Sequence, residues 1–166
     1  DGFPPLKITG TKLINNEVEI DGGVSSQYIS ALLLIASSLE NGLKLSFKGE
    51  ITSVPYIKMT LDLLSNIGIQ HVWKENTITI QPKNKIEAKT VVVESDWSSA
   101  SYYFSYVALS PNSQVEITSY KKQSLQGDSV LVDIYKHLGV ETLFKNNSII
   151  LQNNGEINSE YFKELN

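Results

Sequence analysis

Three polar residues, Ser25, Ser26 and Gln27, stand directly before an apolar run that predicts a helix. Two hydroxyls and a carboxamide offer uncharged hydrogen-bond donors, and the first turn of a helix adds unpaired N–H groups and the positive end of the helix dipole. Such a helix start suits a phosphate or a polyol. The structural alternative is that Ser25 or Ser26 only caps the helix.

Ser53 and Tyr56 begin a second predicted helix, in which Pro55 occupies the first turn. Proline is tolerated there because its missing N–H has no intrahelical partner to lose. The hydroxyls of Ser53 and Tyr56 add two more candidate ligand contacts. The alternative is again structural, with Ser53 as an N-cap and Tyr56 as a half-buried aromatic side chain.

The elements that must position these residues occur twice, at an offset of about 71 residues. Each copy has an Asn before a strand, a Ser at a helix start and a Gly at a helix end. The pairs are Asn41 and Asn112, Ser53 and Ser124, and Gly68 and Gly139. The second copy places Ser98-Ser99-Ala100 and Ser124-Leu125-Gln126 at its helix starts, so Gln27 and Tyr56 are private to the first copy.

Each copy predicts the order βαβαββ, and the chain belongs to the α/β class. The first copy predicts strands over 17–20, 43–47, 69–73 and 77–81, with helices over 25–39 and 55–67. The second predicts strands over 91–93, 115–118, 140–144 and 149–151, with helices over 97–109 and 129–138.

The helical segments 28–36 and 102–109 are apolar nearly all round. A helix without a polar face needs burial on every side, and two units cannot surround such helices. We therefore expect further copies in a longer parent protein, with the apolar helices inside. The start at Asp1 and the single methionine, Met59, favour the same interpretation, an internal piece of a larger chain.

Composition excludes several functions. The chain of 166 residues has no cysteine, which removes disulfides, thiolate chemistry and Cys-based metal sites. His71 and His137 are too isolated to predict a metal site, and we expect no cofactor. A net charge of −4 disfavours nucleic acid, and no apolar run is long enough for a membrane span, so we expect a cytoplasmic protein.

All fourteen basic side chains are lysine. Enzymes that bind phosphates or carboxylates generally use the bidentate fork of arginine, so any such arginines must lie outside this chain. Lys121 and Lys122 are interpreted as solvated loop residues rather than a phosphate site. Trp73 and Trp97 are expected to pack rather than to bind a ligand.

Four stretches of the sequence, in order, carry a resemblance to one enzyme family. They are Asp21-Gly22-Gly23-Val24-Ser25-Ser26-Gln27-Tyr28-Ile29-Ser30-Ala31-Leu32-Leu33, Ser53-Val54-Pro55-Tyr56-Ile57-Lys58-Met59-Thr60-Leu61, Glu94-Ser95-Asp96-Trp97-Ser98-Ser99-Ala100-Ser101-Tyr102, and Gln126-Gly127-Asp128. Over nearly the whole chain these motifs resemble the 5-enolpyruvylshikimate-3-phosphate synthase family. The resemblance implies the enolpyruvyl transferase fold, an inside-out α/β barrel of two lobes with three βαβαββ units each. Residues 1–90 would be the last unit of the N-terminal lobe and 91–166 a unit of the C-terminal lobe.

The resemblance also implies a reaction. The 5-hydroxyl of shikimate 3-phosphate attacks C2 of phosphoenolpyruvate while C3 is protonated, and the tetrahedral intermediate eliminates phosphate. The positions matching the family's shikimate 3-phosphate site are Ser25, Ser26, Gln27, Ser53 and Tyr56, with Ser26 and Ser53 near the phosphate and Gln27 reaching the enolpyruvyl group. The family's proton-transfer residues and arginines fall outside this chain, so we assign no catalytic residue within it.

Further expectations concern Asp96 and the state of the piece. Asp96 resembles a position beside the crossing between lobes, and the alternative is that it caps the helix over 97–109. The parent is expected to be a monomer that binds shikimate 3-phosphate and phosphoenolpyruvate. The piece alone is expected to be inactive and to self-associate through its unpartnered helices.

Two other functions stay open. One is the related transferase acting on UDP-N-acetylglucosamine, against which the Ser-Ser-Gln and Ser-x-Pro-Tyr motifs argue. The other is a non-catalytic binding or assembly module built from the same unit, as in some RNA-handling proteins. The acidic balance and the absence of arginine argue against RNA.

Overall fold

The computed structural model describes residues 2–161, and the chain divides into two compact units, residues 1–88 and 89–166. The sequence placed this division after residue 90. The two units are described separately below.

The first unit has the predicted order βαβαββ. Its elements are β1 (Glu17–Asp21), α1 (Ser26–Ala36), β2 (Leu43–Lys48), α2 (Val54–Asn66), β3 (His71–Lys74) and β4 (Thr77–Ile80). The sheet order is β1-β2-β4-β3, in which β1 and β2 are parallel and the other pairs are antiparallel. A parallel pair needs a crossover, and α1 supplies it.

The core of the first unit lies between the sheet and its two helices. Alternate residues of β2 point inward, while Lys44 and Lys48 between them stay exposed. The buried cluster contains Leu43, Leu45 and Phe47 from β2, Ile29, Leu33 and Ala36 from α1, and Ile57, Leu61 and Leu64 from α2. The apolar stripe of α2 therefore faces the core.

The second unit repeats most of this architecture. Its elements are α3 (Trp97–Leu109), β5 (Gln114–Thr118), a 3₁₀ turn (Gly127–Val130) that continues into α4 (Leu131–Lys136), β6 (Val140–Phe144) and β7 (Ser148–Asn153). The sheet order β5-β7-β6 matches β2-β4-β3 of the first unit. The structural repeat predicted from the sequence is thus confirmed in its three-stranded part. The helix predicted over 129–138 is shorter at both ends, because its first turn is 3₁₀ and α4 ends at Lys136.

The strand predicted over 91–93 is wrong. Val91, Val92 and Val93 adopt no strand and are exposed by 49%, 65% and 82%. Only beyond this run does the chain reach the end of β5, where the Ser95 amide donates at 2.7 Å to the carbonyl oxygen of Ser119, the residue that follows the strand. β-Branched residues favour strands, but a strand also needs a paired backbone and a face to bury, and this run has neither here.

Both apolar helices leave part of their surface uncovered. In α1, Tyr28 and Leu34 are exposed, and in α3, Tyr102, Tyr106 and Leu109 are exposed. This agrees with the prediction that two units cannot surround these helices. Among residues 2–161, no helix is long and apolar enough to cross a membrane.

Candidate functional site

The two helices of the first unit begin at one edge of its sheet. Because β1 and β2 are parallel, their carboxyl ends meet at the same edge, and each strand leads directly into a helix. The two connections also contact each other, since the Gly22 amide donates to the Lys48 carbonyl oxygen at 2.7 Å and the Thr52 amide donates to the Gly22 carbonyl oxygen at 3.3 Å. This arrangement brings the start of α1, with Ser25 to Gln27, beside the start of α2, with Ser53 and Tyr56.

Gly22 allows this close approach of the two connections. A Cβ atom at Gly22 would lie 2.6 Å from the carbonyl oxygen of Glu50 and 2.9 Å from its carbonyl carbon. Both atoms belong to the backbone and cannot rotate away. A side chain at Gly22 would therefore push apart the two loops that carry the helix starts.

The helices are also joined within their second turns. The hydroxyl oxygens of Ser30 and Thr60 lie 3.0 Å apart, and Thr60 Oγ1 donates to the Tyr56 carbonyl oxygen at 3.0 Å. Ser30 is partly buried and Thr60 is buried. Sequence reasoning assigned these residues no role, although two hydroxyls on otherwise apolar helix faces were the available signal.

Ser25 is the N-cap of α1, as the structural alternative predicted. Its Oγ accepts from the Gln27 amide at 3.4 Å, and its carbonyl oxygen accepts from the Tyr28 amide at 3.1 Å. The side-chain cap is long, and the first turn of α1 contains no acidic residue. Ser25 and Gln27 are exposed and Ser26 is half-buried, so this helix start is open to a ligand. In the preceding turn, Asp21 Oδ1 accepts from the Gly23 amide at 2.7 Å.

Ser53 occupies the N-cap position of α2, but its side chain does not cap the helix as the structural alternative predicted. Within the described part of the chain, its side chain makes no capping hydrogen bond, although its carbonyl oxygen accepts from the Ile57 amide at 3.2 Å. The Ser53 hydroxyl is therefore not committed to the helix. Tyr56, one turn on, is 48% exposed. The two side chains that the sequence singled out here are both accessible at the sheet edge.

At the matching helix start in the second unit, a carboxylate caps the helix. Asp96 is the N-cap of α3, where Oδ1 accepts from the Ser98 amide at 3.0 Å and Oδ2 accepts from the Ser99 hydroxyl at 2.9 Å. These bonds, the Ser99 hydroxyl first, hold the pKa of Asp96 below its ordinary value of 3.8. The capping alternative for Asp96 is thus observed, and a role beside a lobe crossing stays a prediction.

The structure also changes the alignment of the two copies. The N-cap residues are Ser25 and Asp96, so Asp96, and not Ser98, takes the place of Ser25. The Ser98 hydroxyl donates to the Asp128 carboxylate. The apparent Ser-Ser match between copies therefore places different chemistry at the two helix starts.

Gln126 also hydrogen-bonds to the backbone at the start of α3. Sequence reasoning gave this residue no role. Its Oε1 accepts from the Trp97 amide at 2.9 Å, and its Nε2 donates to the Ser95 carbonyl oxygen at 2.8 Å. Its occurrence in a quoted motif was the only sequence signal. Trp97 itself is fully buried, which confirms the prediction that it packs, while Trp73 is half-buried against the first core.

Glu94 accepts three hydrogen bonds in the same region. Its carboxylate accepts from Trp97 Nε1 at 2.9 Å, from the Lys121 amide at 2.8 Å and from the Ser124 hydroxyl at 2.8 Å. Ser124, the counterpart of Ser53, is thus bonded to an acid in the second unit. Lys121 and Lys122 are exposed loop residues.

The electrostatic contrast between the two units is large. Asp128 and Asp96 accept from the hydroxyls of Ser98 and Ser99 at the start of α3, and Glu94 accepts from the hydroxyl of Ser124. In the described structure, by contrast, no carboxylate is hydrogen-bonded to the side chain of Ser25 or Ser53. A helix N-terminus attracts anions only where its positive end is not already neutralised. The start of α1 therefore lacks the carboxylate cap that occupies the start of α3.

Comparison with known proteins agrees with the resemblance. The family model EPSP synthase (3-phosphoshikimate 1-carboxyvinyltransferase) matches residues 1–163. The chain belongs to the EPSP synthase family. A 3-phosphoshikimate 1-carboxyvinyltransferase of Bacteroides fragilis strain YCH46 is 43% identical over 155 residues, and one of Shewanella piezotolerans is 36% identical over 153 residues.

The chain spans only part of these EPSP synthase relatives. The alignment to the Bacteroides fragilis protein covers 93% of this chain and 38% of the relative, and the alignment to the Shewanella piezotolerans protein covers 90% and 35%. A solved structure of an EPSP synthase from Acinetobacter baumannii has a TM-score of 0.60 and 17% identity, covering 83% of this chain and 32% of that chain. That likeness confirms the predicted fold class.

Proposed function

We propose that this chain supplies part of the shikimate 3-phosphate site of an enolpyruvyl transferase. The whole enzyme transfers the enolpyruvyl group of phosphoenolpyruvate to the 5-hydroxyl of shikimate 3-phosphate and releases phosphate. Attack of that hydroxyl on C2, with protonation of C3, forms a tetrahedral adduct. Loss of phosphate from C2, with loss of a proton from C3, then restores the double bond.

The observation that carries the proposal is the shared sheet edge in the first unit, where two helix starts with accessible hydroxyls lie side by side. Backbone amides and neutral hydroxyls bind a phosphate ester without an arginine, and an open helix N-terminus adds a favourable field. We assign Ser26 and Ser53 to the phosphate. Ser25 and Tyr56 are assigned to the rest of the ester, and Gln27 to the boundary between the ester and the enolpyruvyl group.

The rest of the active site belongs to other parts of the whole enzyme. Each assigned side chain in this chain is a neutral hydroxyl or carboxamide, which binds and orients a substrate but is a poor general acid or base at neutral pH. We therefore expect no turnover by the chain alone. A cytoplasmic location is part of the same proposal, because phosphate esters do not cross membranes unaided.

An amide-NMR titration of the chain with shikimate 3-phosphate tests the proposal. We expect shifts at Ser25, Ser26, Gln27, Ser53 and Tyr56, with affinity of roughly millimolar strength because the opposing contacts are missing. Inorganic phosphate should bind more weakly at the same amides, and UDP-N-acetylglucosamine should leave them unchanged.

Two variants sharpen this titration. Ser53→Ala removes an uncommitted hydroxyl and should weaken shikimate 3-phosphate binding by about five-fold to ten-fold while leaving the unfolding midpoint unchanged. Ser124→Ala, at the matching place in the second unit, should leave binding unchanged. A response to the ester that is centred on the second unit, or absent, would contradict the proposed function.

A further inference from the structure

The hydroxyls of Ser30 and Thr60 connect α1 and α2, the two helices whose starts form the proposed site. Ser30 lies in the second turn of α1, and Thr60 lies in α2 one turn beyond Tyr56. Their oxygens are 3.0 Å apart, and Thr60 Oγ1 also lies 3.0 Å from the Tyr56 carbonyl oxygen.

The direction of these bonds follows from counting hydrogens. A hydroxyl carries one hydrogen and two lone pairs. Thr60 donates its single hydrogen to the Tyr56 carbonyl oxygen, so it must accept the hydrogen of Ser30. Ser30 on α1 therefore donates to Thr60 on α2, and Thr60 donates to the carbonyl oxygen of Tyr56. The side chain of Tyr56 is one of the proposed ligand contacts.

Burial strengthens this pair of hydrogen bonds. Thr60 is 5% exposed and sits among Ile57, Leu61 and Leu64, and Ser30 adjoins the buried Ile29. The Thr60 hydroxyl loses much if its partner moves away, because its buried surroundings give water little access. The two helices therefore resist sliding along each other near their starts.

We propose that Ser30 and Thr60 are positioning residues, which fix the start of α1 relative to the start of α2 so that both contact one ligand. The inference rests on the proposed function. Neither hydroxyl is among the assigned ligand contacts. A ligand held by groups on two helices is sensitive to displacements well below 1 Å, so loss of this bond should lower affinity even where the fold is intact.

The test uses four variants of the full chain. Thr60→Val keeps the shape and removes both bonds, Ser30→Ala removes one bond, and Thr60→Ser keeps the hydroxyl. Ser65→Ala is the matched control, because Ser65 lies at the other end of α2 and its hydroxyl contacts His71 Nδ1 at 3.3 Å, away from the site. Unfolding by urea, followed for each variant, verifies that the first unit remains folded.

Two readouts decide the outcome. Without ligand, Thr60→Val should shift the amides of Ser25 to Gln27 across the helix interface, and Thr60→Ser and Ser65→Ala should not. With shikimate 3-phosphate, Thr60→Val and Ser30→Ala should bind about ten-fold more weakly than the unsubstituted chain, while Thr60→Ser restores affinity to within about two-fold.

The failures are distinguishable. If the unsubstituted chain binds the ester and Thr60→Val binds equally well, the positioning role is overturned while the proposed function stands. If the unsubstituted chain does not respond to the ester, the proposed function fails and the ligand role of the pair fails with it. Unchanged α1 amides in ligand-free Thr60→Val would contradict the mechanical coupling itself.

Discussion

Asp96 holds in the second unit the helix N-cap position that Ser25 holds in the first, about 71 residues earlier. Both side chains accept a hydrogen bond from the amide two residues on, at 3.0 Å for Asp96 and 3.4 Å for Ser25. The N-cap residue is thus charged in the second unit and uncharged in the first. The two helix starts therefore differ in the charge of the N-cap residue, beside the positive end of the helix dipole.

Exchanging this charge should separate stability from binding. Ser25→Asp keeps a good N-cap and adds a favourable charge at the helix start, so the unfolding midpoint should stay the same or rise. Binding of shikimate 3-phosphate should weaken by at least about ten-fold, because a carboxylate repels the phosphate. Ser25→Asn, which caps without charge, is the control, and urea unfolding with NMR titration measures both effects. Equal binding by the Asp and Asn variants would argue against an anion site.

Asp96 should make the second unit sensitive to acid. Its pKa is lowered in the folded chain, chiefly by the Ser99 hydroxyl and the Ser98 amide, so its contribution to stability is complete above the ordinary value of 3.8. That contribution is lost as the pH falls through the lowered pKa. We expect the difference in unfolding midpoint between the wild type and Asp96→Asn to shrink between about pH 5 and about pH 2.

Fluorescence of Trp97 reports this transition, because Trp97 is buried in the second unit. A Trp73→Phe background removes the signal of the first unit. Asp96→Asn retains a capping side chain and cannot titrate, so it isolates Asp96 from the other carboxylates. A midpoint difference that does not change with pH would show that the cap does not depend on the charge.

Gly22 should be far less tolerant of a side chain than its neighbour. Gly22→Ala forces a Cβ against the Glu50 backbone and should destabilise the first unit by about 1–3 kcal/mol and weaken ester binding. Gly23→Ala meets only the Asp21 carboxylate oxygen, at 3.1 Å, and that side chain can move. Urea unfolding and the NMR titration of both variants measure the difference. Similar losses in the two variants would contradict the proposed need for close contact between the loops.

The exposed face of α3 should drive self-association. Tyr102 and Leu109 are 79% and 84% exposed, and apolar surface of this kind favours contact between copies. Sedimentation velocity should show mass rising with concentration, and the double variant Tyr102→Glu, Leu109→Glu should reduce it. Val72→Glu, which changes an exposed apolar residue on β3, is the control. A monomer at every concentration that binds no hydrophobic dye would exclude this prediction.

Much of the fold followed from local patterns. Strand β6 and helix α3 have the predicted bounds, because alternation and capping signals are written within a few residues of each element. The repeat and the family resemblance followed from motif order. The serines and glutamine at the start of α1 were predicted as a candidate site from the residues alone, and their assignment to one substrate is still a proposal.

Contacts between distant residues were not readable from those patterns. Val91 to Val93 have strand propensity but no paired backbone, and Ser53 precedes a helix without capping it. The hydrogen bond between Ser30 and Thr60 joins residues thirty positions apart. The side chain of Gln126 donates to the carbonyl oxygen of Ser95, which is also distant in the sequence.

The sequence by itself determined the element order of the first unit, the repeat, the family and the residue types at each helix start. Only the tertiary structure decided which starts lie together, which hydroxyls are already bonded, and that carboxylates bind the serines of the second unit. Propensity and capping act over a few neighbouring residues, whereas these decisions depend on backbone positions set by the packing of the whole unit.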